Sequence, residues 1–191
     1  MISFKQFLRE MPQRTNAVAK THFTDYDYEP ITHSGPDYDT GEDHQKISTC
    51  SQRHNYWRTR FRDDTDDDEA HLYNSIRVTN KEGTPKYNIE GYGNHKKKTF
   101  RVTNVSSNQS RSVPYHHVIH HLVSGGHIDQ WTSDTHLSPG SENTYDELAK
   151  KKDLKVVHRG EGGKATKVLP GTAKDFMGKK GRFIVTKEES K

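Results

Sequence analysis

The sequence predicts an α+β domain over residues 55–187, and three observations predict it. Apolar and polar residues alternate over Leu72–Thr79, Tyr87–Tyr92 and Thr99–Val105, the period of strands with one buried face. The period then becomes helical, with Tyr115, Val118, Ile119 and Leu122 on one stripe. After that, strand and helix patterns take turns through Lys187. The expected architecture is a mixed sheet. It comprises a three-strand antiparallel meander, a helix, a strand, a second helix and two strands, behind a disordered N-terminal arm.

Each element has a local reason. Residues 1–10, MISFKQFLRE, place Phe4, Phe7 and Leu8 at i, i+3, i+4, which suits a short amphipathic helix that Pro12 ends. Residues 11–54 carry Pro30, Gly35-Pro36 and Gly41 with few aliphatics, the composition of a flexible polar arm. Trp57, Thr59 and Phe61 alternate with arginines as a first strand. Gly83-Thr84-Pro85 and Gly93-Asn94 separate the three runs of the meander as hairpin turns. Gly125-Gly126 stops the first helix. Ile128–Asp134 reads as a short strand. Ser141 is the expected N-cap of a second helix that ends at Lys150–Lys152. Leu154–Arg159 and Gly181–Lys187 read as the last two strands, joined by a glycine-rich connection. Residues 188–191 form a tail.

Composition narrows the class. Leu, Ile, Val and Phe total 33 of 191 residues, below the level of about 20% at which disorder competes with folding. Most of the deficit falls in residues 11–54 and after Arg159, which leaves residues 55–159 enough apolar positions for one modest core. A single cysteine, Cys50, excludes a disulfide scaffold and a multi-cysteine zinc ribbon. No apolar run approaches the roughly 18–20 residues of a membrane span, and no membrane partner is expected. Residues 1–70 hold 14 acids and 9 bases, whereas residues 71–191 hold 12 acids and 21 bases. The basic C-terminal part suits phosphate-bearing partners such as DNA.

The order of elements over residues 72–187 resembles the core of the GNAT acyl-CoA N-acyltransferase family. In that family a Gln/Arg-x-x-Gly-x-Gly/Ala loop leaves the fourth strand and enters a helix, and its backbone N–H groups hold the cofactor pyrophosphate. The resemblance places that loop at VSSNQSRSVPYHH, with Arg111 where the family has Gln or Arg. Pro114 and His116 stand where the family has small residues. The resemblance thus implies acetyl-CoA as cofactor, with Gln109, Arg111, Val113 and Tyr115 as its binding residues. It implies no role for Tyr145, which precedes the family's tyrosine position by a turn or more.

Two further resemblances concern tailed phages. GGHIDQWTSDTHLSPGSENTYDELAKK looks like a segment of phage proteins that resemble degenerate GNAT domains. MISFKQFLRE is similar to the capsid-targeting peptides of T-even-like internal head proteins, which are cut after a Leu/Ile-x-Glu triplet. Leu8-Arg9-Glu10 fits it and puts the cut between Glu10 and Met11. These likenesses imply a virion interior and then host cytoplasm location. The partners they imply are a phage head or scaffold protein or prohead protease, then DNA or a host protein. Two functions follow as expectations: an N-acyltransferase acting on a host target, or a non-enzymatic internal head protein that is packaged and injected.

Other clusters point less far. His116/His120 and His117/His121 are i, i+4 pairs able to chelate a metal, but the simpler expectation is an outward histidine face with no metal assigned. His127, Asp129, Asp134 and His136 flank the short strand and could serve as acid–base groups. His117, Asn143 and His158 do not suit a His-Asn-His nuclease, because the first lies in mid-helix. Arg159–Lys167 lacks P-loop spacing.

Overall fold

The computed structural model describes residues 34–37, 42–49, 54–61, 72–94, 97–107, 113–138 and 140–189. Ten strands form one sheet: β1 (Gly35–Asp37), β2 (Glu42–Thr49), β3 (Asn55–Phe61), β4 (Leu72–Thr79), β5 (Pro85–Asn94), β6 (Thr99–Ser107), β7 (Gln130–Thr132), β8 (Leu154–Gly160), β9 (Ala165–Lys167) and β10 (Gly181–Lys187). Their spatial order is β1-β2-β3-β4-β5-β6-β7-β10-β8-β9. Neighbours are antiparallel except β6 and β7, which run parallel through the crossover helix α1 (Tyr115–Ser124). A second helix, α2 (Ser141–Ala149), links β7 to β8, and a 3-10 turn spans Ala173–Phe176.

This overturns the α+β, GNAT-like expectation. Ten strands in one sheet against helices of ten and nine residues make a mostly-sheet molecule. The disordered-arm expectation also fails where β1 and β2 fall, because both lie within residues 11–54. β2 reads EDHQKIST, with Ile47 as its one aliphatic residue. Strands near a sheet edge are held by backbone pairing and need no buried face, so apolar alternation does not reveal them. The same holds for β9 at the opposite edge, whose three residues are all exposed. Residues 1–33 fall outside the described set, and with them the expected helix at 1–10.

The core lies between one face of the sheet and the two helices. Tyr56, Val78, Ile89, Phe100, Trp131 and Val185 point to that face and are buried. α1 covers them with Val118, Ile119, Leu122 and Val123, and α2 adds Tyr145 and Leu148. Val168, Ala173, Phe183 and Val185 join the same core, so it extends past Arg159, the expected limit. The sheet bends where β6 crosses β5. The register slips between Glu90 and Gly91, and a Cβ at Gly91 would lie 2.2 Å from the Arg101 carbonyl oxygen. Only glycine permits this approach, and the Phe100 ring covers the surface left bare.

Both helices end or begin on local chemistry. Gly126, at φ 70°, turns the chain out of α1, and His127 N–H donates to the Leu122 carbonyl at 3.0 Å. At α2 the expected N-cap shifts by one residue: Gly140 occupies that position, at φ 92°. Its N–H donates to the Glu142 carboxylate at 2.8 Å, and the Ser141 hydroxyl meets Ser138 Oγ at 2.9 Å.

The histidines of α1 serve packing. His121 Nε2 lies 2.6 Å from the Ser48 hydroxyl, and its ring stacks on Tyr56 at 4.4 Å. His120 pairs with Asp153 at 3.0 Å. Burial, then the neighbouring His127 and His120, lowers the pKa of His121. Burial also leads in lowering those of His116, His127 and His158. A histidine with a depressed folded pKa contributes full stability above its unfolded value of about 6.5. That stability is lost as pH falls from the unfolded value through the folded one. The melting temperature therefore falls between about pH 7 and pH 5, and His121→Phe reduces the fall. A flat profile across that window contradicts this.

Candidate functional site

The parallel pair β6/β7 is short. Only Thr99, Phe100 and Arg101 pair, with Gln130, Trp131 and Thr132. β6 then continues to Ser107, and no described strand pairs with it on that side. β7 stops because the chain turns toward β10. Ser133 N–H donates to the Phe183 carbonyl at 2.8 Å, and Phe183 N–H donates to Ser133 Oγ at 2.9 Å. Arg182 Nη1 adds a bond to the Ser133 carbonyl at 3.0 Å. Ser133 thus draws the end of β7 away from β6, and a cleft of about 460 Å³ opens between them.

Four segments wall this cleft: Val102–Val105 of β6, the turn Val113–Tyr115 entering α1, the loop Asp134–Ser138, and the start of α2 with Ser141, Thr144 and Tyr145. The N-termini of both helices therefore border one opening. Pro114 begins α1 in extended conformation without a side-chain cap, and the first turn has no acidic residue. No acid of its own first turn offsets its positive dipole end, although the Glu147 carboxylate of α2 bears on His116 there. Glu142 supplies a carboxylate at the start of α2.

The floor is aromatic. Tyr87 donates its hydroxyl to the Val113 carbonyl at 2.7 Å, which fixes the turn. Its ring lies 5.8 Å from that of Tyr115, which meets Trp131 edge-on at 6.2 Å. Tyr145 stacks on Phe183 at 4.1 Å and 9°. Burial pushes the Tyr145 phenol well above its ordinary pKa; a hydrogen bond with Ser133 opposes this and the Asp134 charge adds to it. Burial, then the nearby Tyr145 and Tyr87, raises Tyr115 likewise. Both phenols hold their protons at neutral pH, so each can donate one.

Of the four residues expected to bind a cofactor, Val113 and Tyr115 line this cleft. Val113 contributes mainly backbone, since its side chain is buried. Gln109 and Arg111 lie outside the described residues, as do Leu8, Glu10 and Met11 of the expected cleavage site. Asp134 and His136, singled out as acid–base candidates, stand at the cleft, whereas His127 sits against His121. His158 of the nuclease alternative stacks on Phe176 and meets Phe183 edge-on. Among the described residues no group of three or more His, Cys, Asp or Glu could hold a metal. No described helix is long and apolar enough to cross a membrane. Sequence reasoning missed Tyr87 and Tyr145 as parts of one floor. Their only sequence signal is a tyrosine in a strand and another on the apolar stripe of a helix.

Compared with known proteins, the chain matches no family model, no curated protein and no solved structure.

Proposed function

We propose that this protein is an acyl-CoA-dependent N-acyltransferase of a tailed phage, acting on a host target. The observation that carries the reading is the divergence of β6 from β7 beside two helix N-termini. A strand lacking a neighbour on one side can pair with an extended chain of amides, and the pantetheine arm of coenzyme A is one. The residues fit that arm: β6 offers a strand edge, and the floor of Tyr87, Tyr115 and Tyr145 offers apolar surface, with Tyr115 and Tyr145 as phenolic donors. The positive end of α1 suits the phosphates, although Pro114 supplies no N–H there.

When bound, the cofactor supplies a carbonyl activated as a thioester. Each chain residue then has a definite task. The β6 edge orients the arm, and the aromatic floor excludes water from the reacting end. Tyr145 holds a proton at its hydroxyl for the departing sulfur. Asp134 and His136, at the mouth, are placed to take the proton that the attacking amine must lose. The N-terminal likeness to head-protein targeting peptides supports packaging in the virion and release into the host cytoplasm.

A thermal-shift titration with acetyl-CoA tests the reading. Ligand that binds only the folded chain raises the melting temperature in proportion to the logarithm of its concentration. No rise at about 1 mM, the upper end of ordinary KM values, sinks it.

A further inference from the structure

We infer that the opposite face of the sheet binds single-stranded nucleic acid, in a basin that meets the acyl-CoA cleft at the loop His136–Ser138. Side chains alternate along a strand. Thr99, Arg101, Gln130, Thr132, Arg182 and Ile184 therefore point away from the helices, and the cavity they border measures about 1270 Å³. That exceeds the roughly 300–1,000 Å³ of small-molecule pockets and suits a segment of a polymer.

Its charge is one-sided. Lys97, Arg101, Arg159, Lys179, Lys180 and Arg182 line the basin, and among the described lining residues Glu161 is the only acid. Glu161 is already paired with Lys180, at 3.4 Å. These cations come from β6, β8, β10 and the loops before β6 and β10, so no single charge run in the sequence displays them together. Burial, then the like charge of Arg101, weighs against the Arg182 charge, and Asp134 offsets this in part; an anion between the two guanidiniums adds to that relief.

One aromatic ring accompanies the cations. Tyr92, opposite Arg101 across the β5–β6 ladder, is 39% exposed and lies 5.6 Å from its guanidinium. Phe176, beside the Lys179 ammonium at 5.5 Å, stacks on His158 and packs against Phe183, so it belongs to the core side and not to the basin's stacking surface. Cations that track a backbone beside flat faces on which bases stack form the usual surface for single strands. A stiff duplex does not enter a concave basin as a flexible strand does. An acidic peptide satisfies the charges but gains less from the Tyr92 ring. This inference does not depend on acyl transfer.

The test uses the full chain and a fluorescein-labelled oligo(dT) of about 12 nucleotides, within single-strand site sizes, read by anisotropy. The expected result is binding at about 50 mM salt that weakens roughly tenfold or more by about 200 mM, as counterion release requires. The Arg159→Glu, Lys179→Glu double variant alters only exposed side chains and is expected to bind about tenfold or more weaker, since each lost phosphate contact lowers affinity and the salt slope. Tyr92→Ala loses about tenfold through stacking while keeping the salt slope. Melting temperatures near that of the parent show that the variants fold. Three results each overturn the inference: no binding at low salt, parental affinity in the folded double variant, or equal displacement by a polyglutamate of matched charge.

Discussion

In the proposed acyl transfer, Tyr145→Phe is expected to lower the rate by about 10²–10⁴-fold, the usual contribution of a positioned donor, and to leave the proposed cofactor binding intact. The ring persists in the variant, so the stack on Phe183 at 4.1 Å and the burial of the site remain. Only the hydroxyl and its hydrogen bond with Ser133 are lost. Burial holds that phenol protonated, so it serves the departing sulfur as a hydrogen-bond donor. The check is release of free thiol from acetyl-CoA in the presence of a lysine-rich peptide, with the acetyl-CoA thermal shift measured in parallel. A shift retained with the rate lost supports the donor role. An unchanged rate removes it, and loss of both reduces Tyr145 to a packing residue.

Trp131→Ala destabilises the fold by about 3–5 kcal/mol, the cost of emptying a fully buried tryptophan site. Trp131 is 0% exposed, lies 5.5 Å from Phe100 and meets Tyr115 edge-on. It also holds the middle rung of the three that join β6 to β7. The loss is a large share of the roughly 5–15 kcal/mol that keeps a domain folded. It corresponds to a melting-temperature fall of about 6–20 °C for a chain of this size. Trp131→Phe refills most of the volume and recovers much of the loss. Equal losses in the two variants would falsify the cavity explanation.

Much of the inner sheet and both helices could be read from periodicity. Leu72–Thr79 and Gly181–Lys187 stand as strands at the expected bounds, and Tyr115–Ser124 is a helix ended at Gly125-Gly126. Their apolar residues face a shared core, and burial imposes the period. What could not be read lacks that imposition. β1, β2 and β9 lie at or next to the sheet edges and are polar, so backbone bonds alone define them. Counting only the visible elements gave helices too much weight, which produced the α+β expectation. The cleft was hidden for another reason. It depends on Ser133 bonding to Phe183, fifty positions on, and on the β6/β7 ladder ending after three rungs. The floor joins Tyr87, Tyr115 and Tyr145 from three elements. The basic basin is likewise dispersed along the chain, and its six cations meet only when β6, β8 and β10 lie in one sheet.

The central claim is that the open side of β6 receives the cofactor. Amide hydrogen exchange across β6 and the first turn of α1, with and without acetyl-CoA at about 1 mM, the upper end of ordinary KM values, tests it most directly. The predicted result is slowed exchange concentrated at residues 102–107 and 115–117, because a ligand paired to the strand edge protects those N–H groups. Exchange in β6 that is the same with and without acetyl-CoA contradicts the claim.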